Sequence, residues 1–215
     1  GDANRGPSAC RNEGAQLASA RHVLFLDADD RLLPGALRQS LRCMASNGDA
    51  AFVYGAHRRV DAMWRPLTPV VLERCDTHRP PDSRLAFLRT NCVGMIATAL
   101  IDRDKLLAVG GFDETLRRCE DYDLFLSLAE RWPVACHDYP VAEYRIHGAN
   151  TSADPGDVLQ WAWTVQARHL PDDAPGQAAV AQGRREWARA YALAAWRDIA
   201  GLPLAGIAGQ RWRMA

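Results

Sequence analysis

Lysine is almost absent from this chain, long apolar runs are missing, and neither sign of charge is in excess. Lys105 is the only lysine among 26 basic residues, set against 26 acidic ones, so the formal net charge is zero. That balance argues against the basic surface of a nucleic-acid binder and against a disordered acidic tail. The heavy use of arginine fits a GC-rich genome, although guanidinium groups also suit bidentate phosphate binding. No apolar run reaches the roughly 18 residues of a membrane helix and no signal peptide is recognisable, so a soluble, cytoplasmic protein is expected, with peripheral membrane association at most. Cys-x-x-Cys pairs are missing as well. The cysteines at 10, 43, 75, 92, 119 and 136 are widely spaced, which reads as buried thiols in a reducing compartment rather than as a zinc site or a disulfide framework.

What is present is an alternation of short apolar runs and amphipathic stretches. Gly6-Pro7 and Ser8 predict a helix start, with the helix running to about Ala20. Val23 to Leu26 is a continuous apolar run, the pattern of a strand covered on both faces. Pro34 then opens a helix with Leu37, Leu41 and Met44 as its stripe, closed by Asn47-Gly48 in the left-handed conformation, and residues 50–54 form the next strand. Strand, helix, strand at this spacing is an α/β unit. Residues 57–82 have no period and read as a long irregular excursion of the kind that usually carries function. A short helix near 82–90, a strand over 96–101 and a helical turn ended by Gly110-Gly111 follow. In EDYDLFLSLAERW, Asp121, Leu124, Phe125, Leu128 and Trp132 share one stripe, which points Asp121 inward at the head of an apolar face. Two strands, VACHD and VAEYRIH, are expected next, then Ala- and Trp-rich helices over roughly 155–169 and 175–198.

The chemistry concentrates in Asp27-Ala28-Asp29-Asp30, directly after an apolar strand. Ligands of open α/β sheets bind at the carboxyl ends of strands, and hard carboxylate oxygens there suit Mg2+ or Mn2+. The same acids could equally cap the following helix. A calcium loop of the EF-hand type is excluded, because its glycine and glutamate positions hold Leu32 and Arg38. A haloacid-dehalogenase-type phosphatase shares the strand ending in Asp-x-Asp but not the small residues that should follow, here Asp30-Arg31.

Taken together, GPSACRNEGAQLASA, FLDADDRLLPGAL, GGFDE, CEDYDLFLSLA and YRIHGANTS, in this order over residues 6–152, resemble the family 2 glycosyltransferases. The resemblance implies an α/β, GT-A-like (Rossmann-like) mixed sheet flanked by helices, lacking the usual N-terminal nucleotide-binding segment. It places a partial catalytic domain over 1–152 and a helical extension over 153–215. It implies inverting transfer of a sugar, of hexosyltransferase type, from a nucleotide-sugar donor to a saccharide, lipid-linked or protein acceptor, with Mn2+ or Mg2+ on the donor diphosphate. Asp27 and Asp29 match the family's Asp-x-Asp, with Asp29 as direct metal ligand and Asp30 behind it. Asp121 matches the catalytic base, against the alternative of a carboxylate favoured by the helix dipole. His147 matches a metal or diphosphate ligand, against a satisfied structural histidine. Arg145, two residues before it, is expected on the opposite face. Arg11, Asn12 and Glu120 resemble donor-side residues, and Gly110 and Gly111 a loop of close backbone approach that a plain helix C-cap would also explain. Without the front segment the chain is expected to bind donor poorly and to expose a sheet edge. The competing class is a non-catalytic interaction module using Trp161, Trp163, Trp187 and Trp196, although aromatics at helical spacing are more often core.

Overall fold

The computed structural model describes residues 5–67, 70, 82–147 and 155–199, without the side chains of 82, 155 and 193–199. Five strands form one mixed sheet: β1 (His22–Val23), β2 (Arg31–Leu32), β3 (Phe52–Val60), β4 (Ala99–Asp102) and β5 (Val134–Arg145), in the order β1-β4-β3-β5-β2. β3 and β5 run parallel, and every other pairing is antiparallel. The helices are α1 (Gly6–Leu17), α2 (Ala36–Ser46), α3 (Asp82–Arg89), α4 (Arg103–Ala108), α5 (Glu120–Ala129), α6 (Pro155–Arg168) and α7 (Ala174–Ile199).

β3 and β5 make the spine of the sheet, and their register carries a large bulge. Tyr54 faces Cys136, but Ala56 already faces Pro140. Gly55 makes this possible, since a Cβ there would lie 2.5 Å from both His137 and Val141. VACHD and VAEYRIH are therefore one bulged strand rather than two, and it stops at Arg145, before His147. The strand starting at Phe52 likewise runs on to Val60, so residues 57–60 of the expected excursion are strand, and 68–69 and 71–81 of it lie outside the described residues.

Other expectations are corrected by what each residue packs against. Only His22 and Val23 pair as β1, an edge strand next to β4, and residues 24–26 leave the ladder with Leu26 exposed. Ser8 lies buried inside α1 rather than capping it, because Pro7 already occupies the first turn. In α2 the buried face is Ala36, Ser40 and Met44, whereas Leu37 and Leu41 are exposed. The left-handed residue of α2 is Gly35 at its start, not the Asn47-Gly48 end. Residues 96–98 form a 3-10 turn before β4. Cys10 is an exposed thiol, Cys43, Cys119 and Cys136 are half-buried thiols, and Cys92 is disulfide-bonded, so the cysteines are not uniformly buried thiols.

The core is aromatic. Phe52, Tyr54, Phe87 and Phe125 are all but fully buried, and the Phe52 and Phe125 rings lie 4.9 Å apart, tying β3 to α5. Burial of this kind contributes about 1.5–3 kcal/mol per large apolar side chain. Ala162, Val165, Val180 and Trp187 of α6 and α7 enter the same cluster. Trp187 stacks on Tyr122 at 5.8 Å, and the Tyr122 hydroxyl donates to the Phe87 carbonyl at 2.7 Å. The C-terminal helices thus brace α5 through one continuous core.

Candidate active site

Three segments distant in sequence meet at Arg11. Its side chain, only 13% exposed, donates to Asp27 Oδ1 at 2.8 Å and to Glu120 Oε1 at 2.7 Å. The guanidinium also lies 5.5 Å from the centre of the Phe112 ring. A guanidinium removed from water needs such partners, and its planar fork can serve two carboxylates at once. α1, the acidic loop and the head of α5 are therefore fastened to one charge. Asp27 accepts from this arginine through Oδ1.

Asn12, one residue on, performs a second fastening. Its amide donates to the Phe112 carbonyl at 2.9 Å and accepts from the Phe112 N–H at 2.8 Å. Gly110 and Gly111 both have positive φ, and a Cβ on Gly111 would come within 2.4 Å of Asn12 Oδ1. Close backbone approach is required here, and what approaches is Asn12. The glycines also end α4, where the Gly110 and Gly111 N–H groups bond the Leu107 and Leu106 carbonyls.

Asp121 sits in the first turn of α5 and is half-buried, whereas Asp123, off the predicted stripe, is the more deeply buried acid of this helix. Burial, reinforced by the neighbouring charge of Glu120, pushes its carboxyl up to about 7, while the Tyr122 N–H and Arg11 pull the other way and Asp27 adds to the rise. Asp121 and the acidic loop are thus within electrostatic reach of each other. Cys119, left-handed at the start of this helix, is no competing nucleophile, since burial drives its thiol up to about 12.

The rest of the acidic loop docks on the end of β5. Asp29 Oδ2 lies 2.9 Å from His147 Nε2, and the Asp29 carbonyl accepts from Arg145 Nε at 3.0 Å. Asp30 accepts from the Arg145 N–H at 2.9 Å, and burial lifts its carboxyl to about 6. Asp30 therefore anchors the loop rather than capping α2. Arg145 and His147 both reach Asp29 because the strand ends between them, which corrects the expectation of opposite faces. Among the described residues no group of three or more His, Cys, Asp or Glu side chains forms a metal cage. Asp29 and His147 form a pair.

Comparison with known proteins identifies the family. A family profile described as "Glycosyltransferase like family 2" matches residues 2–155. The chain belongs to this family. It is 28% identical over 132 residues to an uncharacterized glycosyltransferase of Haemophilus influenzae, covering 60% of this chain and 42% of that protein. It is 33% identical over 134 residues to the succinoglycan biosynthesis protein ExoU of Rhizobium meliloti, covering 57% of this chain and 37% of that protein. The crystal structure of S. aureus TarS 1–349 in complex with UDP-GlcNAc superposes with a TM-score of 0.61 at 17% identity, covering 85% of this chain and 52% of that one. The fold of this family 2 glycosyltransferase is GT-A. The chain spans less than half the length of these two curated relatives. No helix among its described residues is long and apolar enough to cross a membrane.

Proposed function

We propose that this family 2 glycosyltransferase transfers a hexose from a nucleotide diphosphate sugar to an acceptor hydroxyl with inversion, using Asp121 as general base. The observation that carries the reading is the Arg11 bridge, which ties Asp27 to Glu120 and so sets Asp121 beside the acidic loop. Inversion needs a carboxylate on the side of the sugar away from the leaving diphosphate. A carboxyl raised to about 7 is matched to taking a hydroxyl proton near neutral pH. Asp29 and His147 would hold Mn2+ or Mg2+, with donor oxygens completing the shell, and the cation's charge would offset that building on the diphosphate. Arg11 pairs with both Asp27 and Glu120, the two carboxylates that flank Asp121 in this cluster.

The UDP-GlcNAc complex of TarS supports a uridine diphosphate sugar as the first donor to try. ExoU, as a succinoglycan biosynthesis protein, supports a saccharide or lipid-linked saccharide acceptor over a protein one. The interaction-module reading is not favoured: Trp187 is core and Trp161 is half-buried against it, Trp196 lies outside the described side chains, and Trp163 alone of the four is exposed, at 36%. Transfer or hydrolysis of radiolabelled nucleotide sugars with and without Mn2+ tests the proposal. Turnover abolished by Asp121→Asn and Asp29→Ala is expected. Turnover untouched by Asp121→Asn would refute the assignment of the base.

A further inference from the structure

The turn that follows β3 presents an aromatic side chain to the same end of the sheet. Asp61 builds this turn: its carboxylate accepts from the Met63 and Arg65 N–H groups, each at 2.9 Å, and from Arg65 Nε at 2.7 Å. Backbone bonds between Asp61 and both Trp64 and Arg65 close it. Trp64 sits at its tip with φ 65, a conformation bulky residues rarely adopt. A tryptophan persists there only if its surroundings hold it. They do: the Arg31 guanidinium lies 4.2 Å, and that of Arg145 5.1 Å, from ring centres of Trp64. Arg31 directly follows the acidic loop and is paired with buried Glu143, which Arg58 also contacts at 3.4 Å. Arg145 carries the two contacts that hold Asp29 and Asp30.

We propose that Trp64 is a positioning residue, whose ring clamps Arg31 and Arg145 on the two flanks of the acidic loop and so fixes Asp29 against His147. The inference rests on the reading of Asp29 and His147 as the cation pair, and it deepens that reading by adding the residue that sets their geometry. Outer partners of metal ligands commonly change metal affinity by about 10–100-fold when removed. Trp64 acts one step further out, so the expected effect is about tenfold.

The test uses the full chain and Mn2+ alone as probe, read by electron paramagnetic resonance, together with amide hydrogen exchange in the absence of metal. Trp64→Gly removes the ring while favouring the left-handed turn, Trp64→Ala removes it without that help, and Trp64→Phe keeps an aromatic face. Both truncations are expected to weaken Mn2+ binding about tenfold and to speed exchange at the Asp30 and Arg145 amides, with β3 and β4 amides unchanged. Trp64→Phe is expected to restore most of both. Unchanged exchange at Asp30 and Arg145 in Trp64→Gly would overturn the proposal, as would loss in Trp64→Ala that Trp64→Gly repairs, since the turn and not the ring would then be responsible. A wild-type chain that binds no Mn2+ while Trp64→Gly still frees those amides would sink the cation reading and sustain the positioning role.

Discussion

The two halves of the candidate site are built on different physics. Asp121 belongs to a helix whose next residues, Tyr122, Leu124, Phe125 and Leu126, are buried to 1% exposure or less, braced by Trp187 from α7. Asp29 belongs to a loop held by polar contacts to Arg145 and His147 at the open end of β5, with its own side chain 38% exposed. Asp121 is therefore set in packed structure and raised in pKa by burial, whereas the Asp29–His147 pair depends on a handful of polar contacts. Under the proposed function, the proton acceptor would be the firmly packed group and the diphosphate side the one held by polar contacts alone. Arg11 is the joint, with one bond to each half.

Predictions that break this contrast fall in order of size. Asp121→Asn should lower transfer by about 10²–10⁴-fold without unfolding the chain, measured as kcat with a turned-over donor. In the wild type, kcat/KM should rise with pH through about 7, because only the ionised Asp121 accepts a proton. Stability should move the opposite way: a carboxyl raised in the folded state favours folding below its unfolded pKa and loses that advantage as pH rises through about 7. Asp121→Asn should flatten both dependences, checked by urea unfolding across pH.

Phe52→Ala should cost about 3–5 kcal/mol of stability by opening the aromatic core, measured by chemical denaturation. Arg11→Met should cost about 2–3 kcal/mol, since it strands Asp27 and Glu120 together. It should also move the pH limb of transfer upward, because Arg11 pulls the Asp121 carboxyl down. Asp29→Ala should reduce Mn2+ affinity by more than the roughly 100-fold that loss of an outer partner can cost, while leaving the melting temperature within a few degrees.

The smallest effect concerns the annex. His169 lies 3.0 Å from Asp123 and 2.9 Å from Glu130, and although burial opposes its charge, these carboxylates raise its pKa to about 9. Its contribution is fully present below the ordinary histidine value and lost as pH rises through about 9. His169→Gln should remove about 1–2 kcal/mol at pH 7 and little at pH 10, again by urea unfolding.

The helical half was readable in advance, because a stripe such as Leu124, Phe125 and Leu128 is a local pattern that fixes which side of Asp121 faces the core. The loop half was readable only as residue types. Asp29 and His147 could be named, yet their meeting depends on β5 stopping at Arg145 and on a bulge opposite Gly55, neither of which leaves a periodic trace. The strand read at Val23 to Leu26 failed for a related reason: an apolar run records burial, whereas a strand also needs a partner on the ladder. Trp64 lies in the stretch expected to carry function, yet nothing in the sequence singles it out, because its contacts come from Arg31 and Arg145, far from it along the chain.

The most direct measurement is an anomalous difference map from crystals soaked with Mn2+ and a donor analogue. The account predicts a single Mn2+ peak within bonding distance of Asp29 and His147, with the diphosphate on it and the far face of the sugar turned toward Asp121. A peak elsewhere, or a sugar whose anomeric carbon faces away from Asp121, would contradict it.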